Sequence, residues 1–362
     1  MTAGPILVWG TGAIGGTIGA YLGRAGHDLL FVEKDTDHVA AMNANGLAIE
    51  GSIDNFSVPA KAVVPADVCG TFERVFLCVK AHHTEEATRQ LAPHLATGGF
   101  VASFQNGLNE LVISDVVGRE RTVGAFINFG ADYISPGLIH FGGRGAFVLG
   151  ELDGRRSERI EALHRDISAF EPNAIITDNI MGYLWGKLGY GALLFATALT
   201  DASIVDVLGA EEAQPIHRQL ACEAVAVAHA LAVTPLGFNG YDPAAFAPRA
   251  AAGAACASFA AMVAHNAKST KTHSGIWRDL AVRKRKTEVD AQLGPIVRFG
   301  RESGVPTPAT QELIAMIHEI EDGVRSLAWK NLAELALKAR RQGEVARIPA
   351  SGSGGELSIP PE

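Results

Sequence analysis

Four cysteines in 362 residues, Cys69, Cys78, Cys222 and Cys256, form no CxxC pair and no metal-ligand spacing. They read as reduced thiols of a cytoplasmic protein, not as a disulfide framework. A long apolar run is also missing: the 188–199 stretch is too short to span a bilayer and is rich in Gly and Ala. The opening MTAGPILVWG has no basic stretch and no cleavage pattern, so no export signal is expected. Positive charge is not in excess. The 31 Lys and Arg stand against 39 Asp and Glu, a net charge of −8, which argues against a nucleic-acid partner. GxSxG, a Walker loop and HExxH are all absent, so hydrolase and phosphoryl-transfer chemistry lack their parts. His82 and His83 are neighbours at a strand end with no ligand set around them, and no metal site is expected.

What the chain does have is apolar content, 48% of its residues, and enough length for two domains. The first half alternates. PILVW, HDLLFVE, RVFLCVK and FVASFQNG read as strands; TIGAYLGRAG, DHVAAMNANG and EEATRQLAPHLATGG read as helices between them. Such alternation predicts an α/β fold, a doubly wound, mostly parallel sheet of Rossmann type. The run GAFINFGADYISPGLIHFGGRGAFVLGEL predicts an antiparallel extension, and NAIITDNI a last strand. From about residue 180 helical periodicity takes over, at 182–199, 211–233, 243–267, 276–303, 308–320 and 323–341. The expected division is a dinucleotide-binding domain over 1–180, an all-helical domain over 181–345 and a disordered tail over 346–362.

PILVWGTGAIGG places a GxGxxG loop directly between a strand and a helix. Gly10 permits the tight turn, Gly12 lets the backbone approach a pyrophosphate, and Gly15 lets the helix pack on the strand. With Thr11, Ala13 and Ile14 these residues form the expected cofactor loop, and the helix N-terminus supplies N–H groups to the phosphates. Glu33, at the end of the second strand, lies where an acid takes the adenosine ribose hydroxyls. Lys34 follows and suits a 2′-phosphate instead. Because the acid repels a phosphate, NAD is favoured over NADP.

Three further residues draw attention. Lys80 ends the strand FLCVK, on the edge that faces the crevice in such sheets. Asn106 sits in the strand-to-turn segment SFQNG, where a side-chain amide either caps the loop or positions a ligand. Lys187 is the one charge in YLWGKLGYGALLFATAL; burying it costs free energy unless it is paired or has a task. The basic run RKRKTEVD reads as a solvated helix face, and its Glu288 and Asp290 do not share a face.

Taken in order, GTGAIGG, CVKA, QNGL, PGLIHFGGRG, WGKL and RKTEVD resemble the ketopantoate reductase family from residue 5 to about 325. The resemblance implies an active site in a cleft between the two domains and hydride transfer from a nicotinamide to a 2-keto acid. It makes Lys187 the general acid and Glu288 a catalytic partner that binds the substrate hydroxyl or nicotinamide ribose and steadies the lysine. It puts Asn106 against both cofactor and substrate, Lys80 and Ala131 along the cofactor, and the segment of His273, Ser274 and Gly275 over the substrate carboxylate. It allows a monomer or a homodimer. The sequence departs from the family at Gly191 and Phe195, one and two turns after Lys187, where relatives carry substrate-binding asparagines. The expected function is therefore reduction of 2-dehydropantoate or a related 2-keto acid. The alternatives are an NAD-dependent dehydrogenase oxidising another secondary alcohol or 2-hydroxy acid, and a non-catalytic dinucleotide sensor, against which Lys187 and Glu288 both speak. A hydroxyisobutyrate dehydrogenase-type enzyme should show a DxPVSGG-like segment, and none is found.

Overall fold

The computed structural model describes residues 4–269 and 271–345; the tail expected over 346–362 lies outside the described residues. One sheet contains β1 (Ile6–Trp9), β2 (Leu29–Val32), β3 (Leu47–Glu50), β4 (Phe56–Val58), β5 (Ala62–Val63), β6 (Phe72–Leu77), β7 (Leu95–Ser103), β8 (Thr122–Ser135), β9 (Leu138–Glu151) and β10 (Ile175–Ile176). Its order is β4-β3-β9-β8-β7-β6-β1-β2-β5, with β10 beside β9. From β8 to β5 every pairing is parallel, and β8 and β9 form a long antiparallel hairpin.

The alternation of β1 explains why the sheet is covered on both sides. Ile6 and Val8 face a core shared with Ile18 and Tyr21 of α1 (Ala13–Arg24), Met42 of α2 (Thr36–Asn45) and Ile160 of α5 (Glu158–Ser168). Leu7 and Trp9 face the other core, with Leu91 of α3 (Thr84–Leu91) and Ile113 of α4 (Asn109–Val117). A strand apolar on both faces needs such a layer on each. α2 begins where the Asp35 carboxylate accepts from the Asp37 and His38 N–H groups, and it stops at Gly46, whose φ is +78°.

The second unit is helical: α6 (Ile180–Thr197), α7 (Ile204–Gly209), α8 (Gln214–Ala230), α9 (Ala254–Asn266), α10 (Gly275–Trp277) with a π turn over Arg278–Val282, α11 (Val289–Ser303), α12 (Pro308–Glu321) and α13 (Lys330–Val345). α6 is central. It is buried on nearly all sides, and Leu184, Leu188 and Leu193 share a core with α8, α11, α12 and α13. The same core takes in Phe126 and Val148 of β8 and β9, so α6 docks the helical unit onto the sheet. A Cβ on Gly186 would lie 1.9 Å from the Leu236 carbonyl oxygen, so the missing side chain is what lets the 233–241 segment close over α6. Among the described residues no helix is long and apolar enough to cross a membrane.

Several expected elements differ. The helix expected across EEATRQLAPHLATGG stops at Leu91; Pro93, which has no N–H, lies in a 3₁₀ turn, and β7 starts at Leu95. The helix expected at 243–267 is a short 3₁₀ turn, Pro243–Phe246, then α9 after Gly253 at φ +82°. The helix expected at 276–303 breaks over 283–288. Lys284 has φ +50°, and Arg283 and Arg285 turn back to the Asp279 carboxylate. The basic run is thus an ion-paired loop and not a helix face. Strands β3 to β5 and helix α5 had no counterpart in the expected element order.

The Gly186 contact is testable. Gly186→Ala should lower stability by about 1–3 kcal/mol, the usual cost of forcing extra volume into a packed site, read from the urea midpoint. An unchanged midpoint would show that α6 and the 233–241 segment do not need this approach.

Candidate active site

Four strands end on one edge of the sheet, and each delivers part of the site. After β1, Gly10 turns at φ +94°, and α1 begins at Ala13 with no side chain capping it and with Gly12, Ala13 and Ile14 on the crevice wall. A Cβ on Gly12 would meet nothing within 4 Å, whereas one on Gly15 would lie 2.1 Å from the Gly10 carbonyl oxygen. The first glycine therefore leaves a path for a diphosphate, and the second closes the helix on the strand. After β2, the Glu33 carboxylate accepts from the Thr11 N–H at 3.0 Å and from the Lys34 N–H at 2.8 Å. The Lys34 ammonium lies 3.0 Å from His83 Nε2.

His38, which no motif singles out, fastens this loop. The Gly137 N–H donates to His38 Nδ1 at 2.9 Å, so Nε2 carries the proton and donates to the Thr11 carbonyl at 2.9 Å. The neutral ring joins the glycine loop to the β8–β9 turn. The signal for it is weak in sequence: a lone histidine early in a helix.

After β6 and β7 come Lys80 and Asn106, and Lys187 reaches Asn106 from α6. Its ammonium donates to Asn106 Oδ1 at 2.6 Å and to the Ile127 carbonyl at 2.7 Å, with the Phe126 ring centroid 5.4 Å away. Burial lowers its pKa to about 8, while the charges of Glu110 and Glu288 pull it back up. Glu288 does not touch Lys187. It precedes α11 and accepts from the Lys80 ammonium at 2.9 Å and the Ala81 N–H at 3.1 Å, so the family-implied contact with the lysine is replaced by one to the strand end.

Glu288 is itself held in place. The neighbouring Thr287 donates through N–H and hydroxyl to one oxygen of buried Glu321, both at 2.7 Å. The other Glu321 oxygen takes His318 Nδ1 at 2.8 Å, and His318 Nε2 lies 3.0 Å from Asp290. Both ring nitrogens face carboxylates, which only accept, so the imidazolium satisfies the arrangement. Partial burial opposes that charge, but the Glu321 and Asp290 carboxylates outweigh it and raise the His318 pKa.

These groups surround a cavity of ≈ 820 Å³. Of the expected site residues, Gly10, Gly12, Ala13, Ile14, Glu33, Lys34, Lys80, Asn106, Ala131, Lys187, Phe195, Ser274 and Glu288 line it. Thr11, Gly15, Gly191 and His273 do not. Thr11 is fully buried and acts through its backbone, and Gly15 is a packing residue. A Cβ on Gly191 would lie 3.7 Å from Gln292 Oε1, and Gln292 lines the cavity in its place. His273 stacks on Trp277 and its Nε2 lies 3.1 Å from the Asp201 carbonyl, turned from the cavity. Buried Ser274 caps α10, accepting from the Trp277 N–H at 3.1 Å. Arg278 and Arg283 close the rim, paired with Asp132.

Residues 6–154 match the family described as Ketopantoate reductase PanE/ApbA, and residues 179–321 match its C-terminal counterpart. The chain belongs to the ketopantoate reductase family. It is accordingly an oxidoreductase. It is 28% identical over 340 residues to a 2-dehydropantoate 2-reductase of Mesorhizobium japonicum, covering 87% of this chain and 97% of that one. It is 32% identical to the enzyme of that name from Pyrococcus abyssi, over 50% of this chain and 59% of that one. Among solved structures, a PanE/ApbA family ketopantoate reductase from Ralstonia eutropha superimposes with TM-score 0.73 at 26% identity, over 88% of this chain and 99% of that one. A D-mandelate dehydrogenase solved with NADH and anilino(oxo)acetate shares the fold, with TM-score 0.75 at 20% identity and coverage of 88% and 99%.

The His318 cluster gives a pH test. A histidine whose folded pKa is raised contributes stability fully below its ordinary value of 6.5, and that contribution is lost as pH rises through the raised value. His318→Gln should therefore lower Tm more at about pH 5.5 than at about pH 9, the gap narrowing as the wild-type ring deprotonates. A gap independent of pH would show that the imidazolium is not the form held.

Proposed function

We propose that the protein is a cytoplasmic, nicotinamide-dependent reductase that converts a 2-keto acid, 2-dehydropantoate or a close relative, to the 2-hydroxy acid. The observation that carries this reading is the Lys187 ammonium, half-buried on the cavity wall with its pKa lowered to about 8 where the strand ends converge. A ketone reduction needs a hydride and a proton, and the nicotinamide, when bound, supplies the hydride. Lys187 supplies the proton to the carbonyl oxygen, a task for an acid whose pKa lies near the working pH. Asn106 and the Ile127 carbonyl aim its N–H bonds. Glu288 and Lys80 present a carboxylate and an ammonium to ribose or substrate hydroxyls. Ser274, the adjacent Gly275 and Arg278 suit a substrate carboxylate. The open Gly12 cradle and the free end of α1 fit a dinucleotide diphosphate, and with a dinucleotide-binding domain over 1–180 and a helical domain over 181–345 the reaction falls in the cleft between them. Size-exclusion chromatography with light scattering distinguishes a monomer from a homodimer.

Lys187→Ala should lose at least about 100-fold in turnover, the low end for a general acid, with dinucleotide affinity little changed. In the wild type kcat/KM for reduction should fall as pH rises through about 8, because the lysine must be protonated. Unchanged turnover in the variant sinks the assignment.

A second reading has its own support: Leu194 and Phe195 form an apolar wall, and Phe195 stands where the family resemblance implies a substrate-binding asparagine, which favours a 2-hydroxy acid with an apolar side chain, oxidised with NAD. A panel of 2-keto and 2-hydroxy acids, assayed with both cofactors, separates the two. Glu33 supports NAD over NADP. The panel should show an NADH preference that Glu33→Ala narrows, and a wild-type preference for NADPH would reverse the cofactor reading.

A further inference from the structure

Glu110 takes no part in the reaction as described, yet it is the most unusual charge near the site. It lies in the first turn of α4, four residues beyond Asn106, and is 1% exposed. Neither carboxylate oxygen meets a hydrogen bond of full geometry among the described residues, and only the Ser103 hydroxyl and the N–H groups of Glu110 itself and Ala125 ease its charge. A carboxylate left so costs several times what a satisfied one does, and a fold retains it only against a compensating charge or with a proton bound. The N-terminal end of α4 offers partial positive charge. The elements packed on α4 are α3, β7, β8 and the Arg119–Arg121 turn. On α3, Glu85, Glu86 and Arg89 are exposed, as is Asp115 of α4 itself. Arg119 donates to the Leu152 carbonyl, and Arg121 to the carbonyls of Leu95, Ala96 and Gly99. β7 carries no charge, and Asp132 of β8 is paired at the cavity rim with Arg278 and Arg283. Asn106, four residues before Glu110, and Ile127 of β8 hold the Lys187 ammonium. Leu108 and Leu111, on either side of Glu110, pack in the core of α6, so the full charge that acts on Glu110 is Lys187.

We propose that Glu110 is the buried counter-charge of Lys187, a positioning residue that never meets substrate but sets the pH at which the lysine holds its proton. The inference rests on Lys187 being the proton donor. Two buried groups of opposite charge titrate as a pair. While Glu110 is ionised, the ammonium is favoured over the amine despite its apolar surroundings, and when Lys187 gives up its proton the carboxylate stands unopposed and binds a proton more tightly. Burial already pushes Glu110 up to about 7, so the pair exchanges charge in the range where the enzyme would work. Glu288, the other carboxylate acting on Lys187, is tied to Lys80 and Ala81 and cannot substitute for it.

The test is the pH dependence of kcat/KM for reduction, which reports the free enzyme, in wild type, Glu110→Gln, Glu110→Met and Glu110→Asp. Without the carboxylate, the upper limb should move to lower pH by about one unit or more, the usual effect of one close opposite charge. At pH below the limb, kcat/KM should stay within a few-fold of wild type, and NADH binding followed by fluorescence should be unchanged. Glu110→Asp, which keeps the charge, should hold the limb closer to wild type than Glu110→Gln does. The Met variant removes the buried charge without a polar replacement, so a folding failure of the Gln variant leaves the question answerable. A limb that stays in place in either neutral variant, or that moves as far in Glu110→Asp, overturns the proposal. A wild-type profile without the limb, or a Lys187→Ala variant with full turnover, overturns instead the assignment of Lys187.

Discussion

An ammonium taken out of water has to be met by oxygen. Lys187 sits in the middle of a helix buried on nearly all sides, and its two acceptors come from elsewhere: an amide after β7 and a carbonyl on β8. The helical unit cannot bury this lysine on its own. The lysine is satisfied only when α6 is seated on the sheet, and seating α6 needs Leu184 and Leu188 against Phe126 and Val148. Apolar packing sets the distance, and the polar contacts set the rotation of the helix about its axis.

The parallel sheet supplies the complementary half. Its β1, β2, β6 and β7 ends bring the glycine loop, Glu33, Lys80 and Asn106 onto one edge, although they are spread over about 100 residues of sequence. No one of these residues defines the site. The geometry of parallel pairing, which aligns strand ends, is what makes a crevice of them.

Much of this was legible in the sequence because it is local. The glycine loop, each strand of the alternating set, the β8–β9 hairpin and the lone lysine of α6 are each written in one continuous stretch of chain. The remainder is long-range. Glu288 meets Lys80 across 208 positions and Lys187 meets Asn106 across 81, and nothing in the spacing of RKTEVD shows that its glutamate is fixed by Glu321 and His318 from the following helix. Glu110 reads as an ordinary acid in the first turn of a helix. Only burial distinguishes it. The continuous helix expected over 276–303 failed for a related reason: Asp279 and Asp132 draw the arginines of that stretch out of helical register, and no periodicity records a tertiary ion pair. Gly191 and His273 show the limit of transferring positions by motif, since each holds its place in the chain but does not line the cavity: Gln292 stands in front of the one, and the other packs on Trp277.

The contact of Glu288 with Lys80 and the Ala81 amide has one more consequence. With the Arg283–Asp132 pair, it is one of the bridges by which the loop before α11 touches the sheet, and it lies at the cavity that a dinucleotide and a substrate would share. A ligand hydroxyl that takes either partner enters by exchange, trading a bond the protein already makes for one it makes to the guest. Affinity at this point is then a difference between two similar contacts and is inherently modest. Selectivity follows from the same arithmetic, because a guest that breaks the bridge without replacing both of its ends leaves a charge stranded on each wall of the cleft.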